Sequence, residues 1–220
     1  MIKQRLDSVV SGTTSPTKFA PLNLEGNLKA KILDRPFNKL RGQEVSLSSF
    51  AFLFSQIIQY SQLKVTGITD LENNLNKIGQ RVGIRTLELI MSREKLIRRE
   101  LTIINQLYFI NTTVWKYLFG KAADSLEKST DQEDEYMISD NDPYLTQFIS
   151  VPKDLSQLNC NAFLAGIIEG VLRASQFPCR VTAHSNPVPQ FPKRTTILIK
   201  FSPEVLHRDN LQQLQSQNQK

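Results

Sequence analysis

The side chains able to do chemistry are few, and they gather late in the chain. Both cysteines, Cys160 and Cys179, flank the apolar run FLAGIIEGVL (163–172), and one of the two histidines, His184, follows five residues after the second. A structural zinc site needs four ligands, normally with one pair closely spaced. The chain has no C-x-x-C and no H-x-x-x-H, so no metal is expected. A catalytic thiol needs a base within hydrogen-bond reach. On a strand, the odd separation of Cys179 and His184 sends their side chains to opposite faces. Cys160 is expected at a helix start, where the dipole would lower its pKa, but no base accompanies it. Both thiols therefore read as small buried hydrophobes. VGIRTLEL (82–89) has a lone glycine in a helical pattern, not a phosphate-binding loop. Residues 131–135 are rich in acid but lack the spacing and glycine of a calcium loop, so a solvated turn is expected. No catalytic set emerges, no cofactor is expected, and the reading is not that of an enzyme.

Gly166 and Gly170 lie four apart in the apolar run, as in the small-residue motif that pairs membrane helices. Ten residues with Glu169 among them are too few and too polar to cross a bilayer. The glycines are expected to let this helix lie close on the strands that follow.

The elements around these residues read as α+β. Ser46 can cap a first helix in which Leu47, Phe50, Phe54, Ile57 and Ile58 follow helical spacing. Phe52 and Leu53 add apolar surface on other sides. A helix apolar nearly all round is buried on more than one face, and in a domain this size one face is expected to meet another subunit. A second helix starts at Thr69 or Asp70, with Thr69 and Glu72 spaced as a capping box. Its stripe includes Leu71, Leu75, Ile78, Val82 and Leu89, widened by Ile84, Leu87 and Met91. Gly79 and Gly83 interrupt it, each costing about 1 kcal/mol against alanine, so another backbone is expected to approach there. Arg85 and Glu88 read as a solvated surface pair. The candidate partner interface is thus Phe50, Phe52, Leu53, Phe54, Ile57, Ile58, Gly79, Gly83 and Leu87.

A third helix spans about 100–119. The charged stretch 121–134 reads as turn-like, and 136–138 and 144–149 as short strands. A fourth helix begins at Asn159 or Asn161 and stops before Pro178. Strands at 179–184 and 195–201 alternate, separated by a loop with three prolines. Pro203 opens a short last helix, and the Gln-rich end is expected to fray. The order predicts helices packed on one face of a small twisted, mostly antiparallel sheet. Residues 1–43 read as a partly disordered extension, in which Ile32, Leu33, Phe37 and Leu40 could dock an arm. Residues 44–206 form the domain and 207–220 a tail.

Charge is uneven along the 220 residues: 1–120 carry a net +8, 121–142 a net −6 and 143–220 a net +4. A basic body with one acidic segment suits charged proteins or a membrane surface. Arg93, Lys95, Arg98 and Arg99 form the candidate contact to anionic lipid or an acidic partner. Nucleic acid is not expected, because no binding motif accompanies the charge. Nothing resembles a secretory leader or a membrane span, and two cysteines fit a reducing compartment.

EVSLSSFAFLFSQII (44–58), IGQRVGIRTLELI (78–90) and VWKYLFGKAADSLEKS (114–129) resemble the small-subunit family of the transport protein particle, TRAPP. So do EYMISDNDPYLTQFISVP (135–152), LNCNAFLAGIIEGVL (158–172), FPCRVTAHS (177–185) and TTILIKF (195–201). The resemblance implies a Bet-three-like fold. It implies a non-catalytic core subunit of a vesicle-tethering complex that promotes nucleotide exchange on a Ypt/Rab GTPase in endoplasmic reticulum to Golgi and Golgi traffic. It implies pairing with a Bet-three-type subunit through the first helices, and a border with a sedlin-type subunit. A cytoplasmic location, peripheral on those membranes through the complex, follows from the same resemblance. The family's Bet-three-type member carries an acylated cysteine after its second helix; Ser92–Ile104 has none here. The alternative reading is a small hydrophobic-ligand-binding domain of the same fold class.

Overall fold

The computed structural model describes residues 46–94, 99–130, 132 and 134–218. The expected extension and its arm (Ile32, Leu33, Phe37, Leu40), together with Lys95 and Arg98, lie outside the described residues.

Helix α1 (Leu47–Gln62) turns one apolar edge inward, with Phe54 fully buried and Phe50, Ile57 and Ile58 packed around the core. Ser46 occupies its N-cap position without capping through its side chain; its hydroxyl bonds that of Ser48 instead, at 2.5 Å. Helix α2 (Ile68–Glu94) starts one residue before the expected cap, and the capping box does not form. Glu72 instead accepts the amide of Asn159 at 2.8 Å, tying α2 to a distant loop. Helix α3 (Ile103–Phe109) is capped twice: Thr102 accepts the amide of Asn105, and Asp209 accepts that of Ile103 at 2.9 Å. It continues through a π turn (Ile110–Val114) into α4 (Trp115–Phe119), where Gly120 ends the helix in a left-handed conformation.

The strands are β1 (Ser125–Lys128), β2 (Glu135–Asp140), β3 (Cys179–Ser185) and β4 (Thr195–Phe201), with helix α5 (Ala162–Ala174) between β2 and β3. They form one sheet in the order β1-β2-β4-β3, every pair antiparallel. Two expectations need correction. The charged stretch expected as a turn supplies edge strand β1, whose four residues are too few and too polar to show a period until β2 pairs with them. Residues 144–149, expected as a strand, instead carry a 3-10 turn at Tyr144–Thr146 with Leu145 buried. Both edges of β2 are already taken, by β1 and by β4, so that segment cannot pair with the strand it follows.

One face of the sheet is dry. Ile138, Val181, Ile197, Ile199 and Phe201 are buried on it, while Arg180 and Lys200 on the opposite face are exposed. Helix α5 lies against β3 on the dry side, and α2 packs on α5. A Cβ at Gly79 would overlap the carbonyl oxygen of Phe163, and one at Gly83 that of Ile167. In return, Gly166 meets Asn76 and Gly170 meets Gln80. The two glycine pairs therefore face each other. This corrects both readings: Gly166 and Gly170 approach α2 rather than the strands, and the backbone closing on Gly79 and Gly83 belongs to this chain. Helix α6 (Pro203–Asn218) is longer than expected, because its buried Val205 and Asp209 dock it on the domain.

Candidate interaction surface

The thiols are remote from any reactive arrangement. Cys160 is buried two residues ahead of α5. Burial, helped by the Glu72 carboxylate, pushes its pKa up to about 11, the opposite of the lowering expected from a helix start. Burial likewise raises that of Cys179, with Glu169 adding to the shift and Arg173 opposing it. His184 bonds the hydroxyl of Thr182 at 2.8 Å. Among the described residues, no three His, Cys, Asp or Glu side chains gather where they could hold a metal ion.

Apolar exposure is where the chain departs from an ordinary surface. On the outward face of α1, Phe52 is 75% exposed and Leu53 59%, with Tyr60 and Leu63 exposed further along. Beside that face runs a groove of about 540 Å³, lined by Leu47, Phe50, Leu53, Ile57, Val82 and Phe163 among others. Isolated exposed hydrophobes need no explanation, but a contiguous patch beside a groove marks an interaction surface.

Only part of the predicted interface lies on this surface. Phe54 is completely buried, its ring 5.2 Å from that of Phe163 and 5.9 Å from that of Phe50. It anchors α1 to its own domain and offers nothing to a partner. Leu87 is buried too, and Gly79 and Gly83 are covered by α5. Phe50, Ile57 and Ile58 are half-buried, and Phe50 and Ile57 line the groove.

Of the basic cluster, Arg93 and Arg99 are among the described residues. Arg93 donates to the hydroxyl of Tyr117 at 2.7 Å, and Arg99 to the carbonyl of Ser175 at 3.1 Å. Arg85 and Glu88 form a 3.5 Å pair on open surface, as expected of a solvated pair. Leu101, just ahead of α3, and Ile104 and Tyr108 on it are all more than half exposed, which the helical pattern over 100–119 does not reveal. Their three- and four-residue spacing was visible, but not which face α3 turns inward. No described helix is long and apolar enough to cross a membrane.

Comparison with known proteins places these features. A protein of Dictyostelium discoideum named trafficking protein particle complex subunit 5 is 56% identical over 180 residues, covering 81% of this chain and 96% of that protein. The human protein of the same name is 43% identical over 181 residues, covering 82% and 93%. Trafficking protein particle complex subunit 31 of Saccharomyces cerevisiae is 34% identical, covering 77% and 80%. Among solved structures, trafficking protein particle complex subunit 3 of Naegleria fowleri, covalently bound to palmitic acid, superposes with a TM-score of 0.59 at 20% identity. It covers 71% of this chain and 95% of that one, and shows that the two share a fold. Residues 50–202 match the family described as transport protein particle (TRAPP) component, and with relatives this similar over most of its length the chain belongs to that family.

Proposed function

We propose that this chain is a non-catalytic structural subunit of a TRAPP vesicle-tethering and Rab/Ypt nucleotide-exchange complex, and that it pairs with a Bet-three-type subunit through the outward face of α1. The observation carrying this reading is the pair Phe52 and Leu53, large apolar side chains left in solvent beside an apolar groove. Interface centres favour such anchors, which fill pockets on the partner and exclude water. Location on endoplasmic reticulum and Golgi membranes, and contact with a sedlin-type neighbour, belong to the same proposal and follow from the family resemblance alone.

Co-expression with a Bet-three-type subunit, sized by light scattering, tests the pairing. The expected outcome is a stoichiometric one-to-one species. A monodisperse monomer that remains soluble beside an unbound partner would sink the proposal.

A further inference from the structure

We infer that the free edge of β3 is a docking site for an extended, acidic peptide segment of a partner chain, which joins the sheet as a fifth strand. The sheet has two edges, β1 and β3. Strand β1 is four residues long and carries Glu127 and Lys128, features that discourage further pairing. Strand β3 has seven residues and is treated differently along its length. At Val181 the edge is plugged: the Glu169 carboxylate accepts its amide at 3.4 Å, and the Asn76 side chain donates to its carbonyl at 3.4 Å. These bonds show that Val181 turns its backbone groups away from β4.

Antiparallel pairing alternates, so Ala183 and Ser185 turn theirs outward as well. Among the described residues, no backbone or side-chain group bonds to the outward amide or carbonyl of Ala183. The plug therefore ends at Val181, and beyond it the strand presents an open ladder.

That open portion lines a groove of about 550 Å³ between β3, the start of α2 and the loop leading into α5. Asn161 lines it too. This side chain is only 4% exposed; its amide nitrogen donates to the Thr195 hydroxyl at 2.9 Å, while its Oδ1 has no partner. Two residues earlier, the buried Asn159 Nδ2 is also unpartnered. The groove's open wall is the strand edge itself, with the outward amide and carbonyl of Ala183 unpaired among the described residues. A peptide main chain satisfies both kinds of group at every residue, which a compact apolar ligand cannot do. Adding an extended segment to a sheet edge is an established mode of peptide recognition.

Charge selects the occupant. Two cations, Arg180 and Lys193, line the groove against a single carboxylate, Glu72. The lining therefore favours Asp or Glu on the incoming strand. This surface is separate from the α1 face, and neither proposal depends on the other.

The test uses the full chain and an array of capped five-residue peptides of alternating β-branched residues, graded from Asp/Glu-rich to Lys-rich. Binding is expected to concentrate in the acidic members. It should weaken roughly tenfold or more in Ala183→Pro, which removes an outward amide an edge strand can spare. Arg180→Glu, an exposed position that leaves the backbone intact, should reverse the charge preference. Hydrogen exchange at the Ala183 amide should be fast in the free chain and slow when an acidic peptide is bound. The proposal is overturned if no member binds, if Lys-rich members bind equally well, or if Arg180→Glu leaves the preference unchanged. It is equally overturned if the Ala183 amide is already protected in the free full chain, since the edge would then be filled by the chain itself.

Discussion

Single residues here act mainly by being buried with, or without, the right partner. Cys160 shows the direction of the effect. Its thiol is held protonated up to about pH 11 because the charged form would lose its water and face Glu72. A pKa raised on folding means the native state holds its proton more tightly, so the associated stability is complete below the unfolded thiol value of about 8.5 and is lost above it. Ellman's reagent at pH 8 should therefore label native Cys160 much more slowly than the same cysteine in urea; equal rates would show an open, reactive thiol. Glu169 is the counterpart, a polar side chain retained inside an apolar helix. It accepts from Val181, from Gln80 at 2.9 Å and from Asn76 at 3.3 Å, closing part of a sheet edge. Replacing it with alanine leaves these donors unsatisfied, at a cost of about 1–3 kcal/mol. The urea midpoint of Glu169→Ala should fall accordingly, while Glu169→Gln, which keeps an acceptor, should lose less. An unchanged midpoint for both would remove Glu169 from the edge.

At the scale of elements, the contact between α2 and α5 decides the architecture. Two helices can approach this closely only where neither carries a Cβ, and the facing glycine pairs provide that at four positions. Alanine at Gly83 would add about 1 kcal/mol of helix propensity. It would also push its Cβ into the Ile167 backbone, which cannot step aside as a flexible side chain would, and overpacking of that kind costs about 1–3 kcal/mol. Gly83→Ala should therefore lower the melting temperature, whereas Gly67→Ala, where the nearest atom is the Asp70 carboxylate at 3.5 Å, should be nearly neutral. If the two variants melt alike, close helix approach is not what Gly83 serves. The existence of α2 and α5, and the strands at 179–185 and 195–201, were legible because long or alternating apolar patterns report burial directly. β1 was not, since Ser125–Lys128 has only Leu126 to mark an inner face. Nor was the length of α6, whose helical continuation depends on Asp209 reaching the amide of Ile103, 106 positions away.

For the whole molecule, the question is which apolar surface is surplus to the fold. α1 carries both kinds, and adjacent residues differ: Phe54 is spent on the domain's own core, while Phe52 and Leu53 remain outside it. The two classes of variant should separate cleanly. Phe52→Asp and Leu53→Asp together should leave the chain folded by circular dichroism yet weaken pairing with a Bet-three-type subunit by about 2 kcal/mol or more. Phe54→Asp should unfold or strongly destabilise the chain instead, because a buried unpaired carboxylate is costly. Pairing at wild-type strength in the Phe52, Leu53 double variant would move the partner off this face.

The sequence by itself determined the class of fold, the family, and the presence of more apolar helix surface than one domain needs. Composition and periodicity, and the motifs that carry the family resemblance, are local and survive without coordinates. Only the tertiary structure decided which of those apolar residues are surplus, because burial depends on what arrives from elsewhere in the chain. Phe163 covers Phe54 but not Phe52, and the backbone that closes on Gly79 and Gly83 comes from α5 rather than from another subunit. The open edge of β3 beyond Val181 is likewise a matter of how far Glu169 and Asn76 reach. No spacing along the chain encodes that distance, since it is set by the packing of α2 and α5 against the strand.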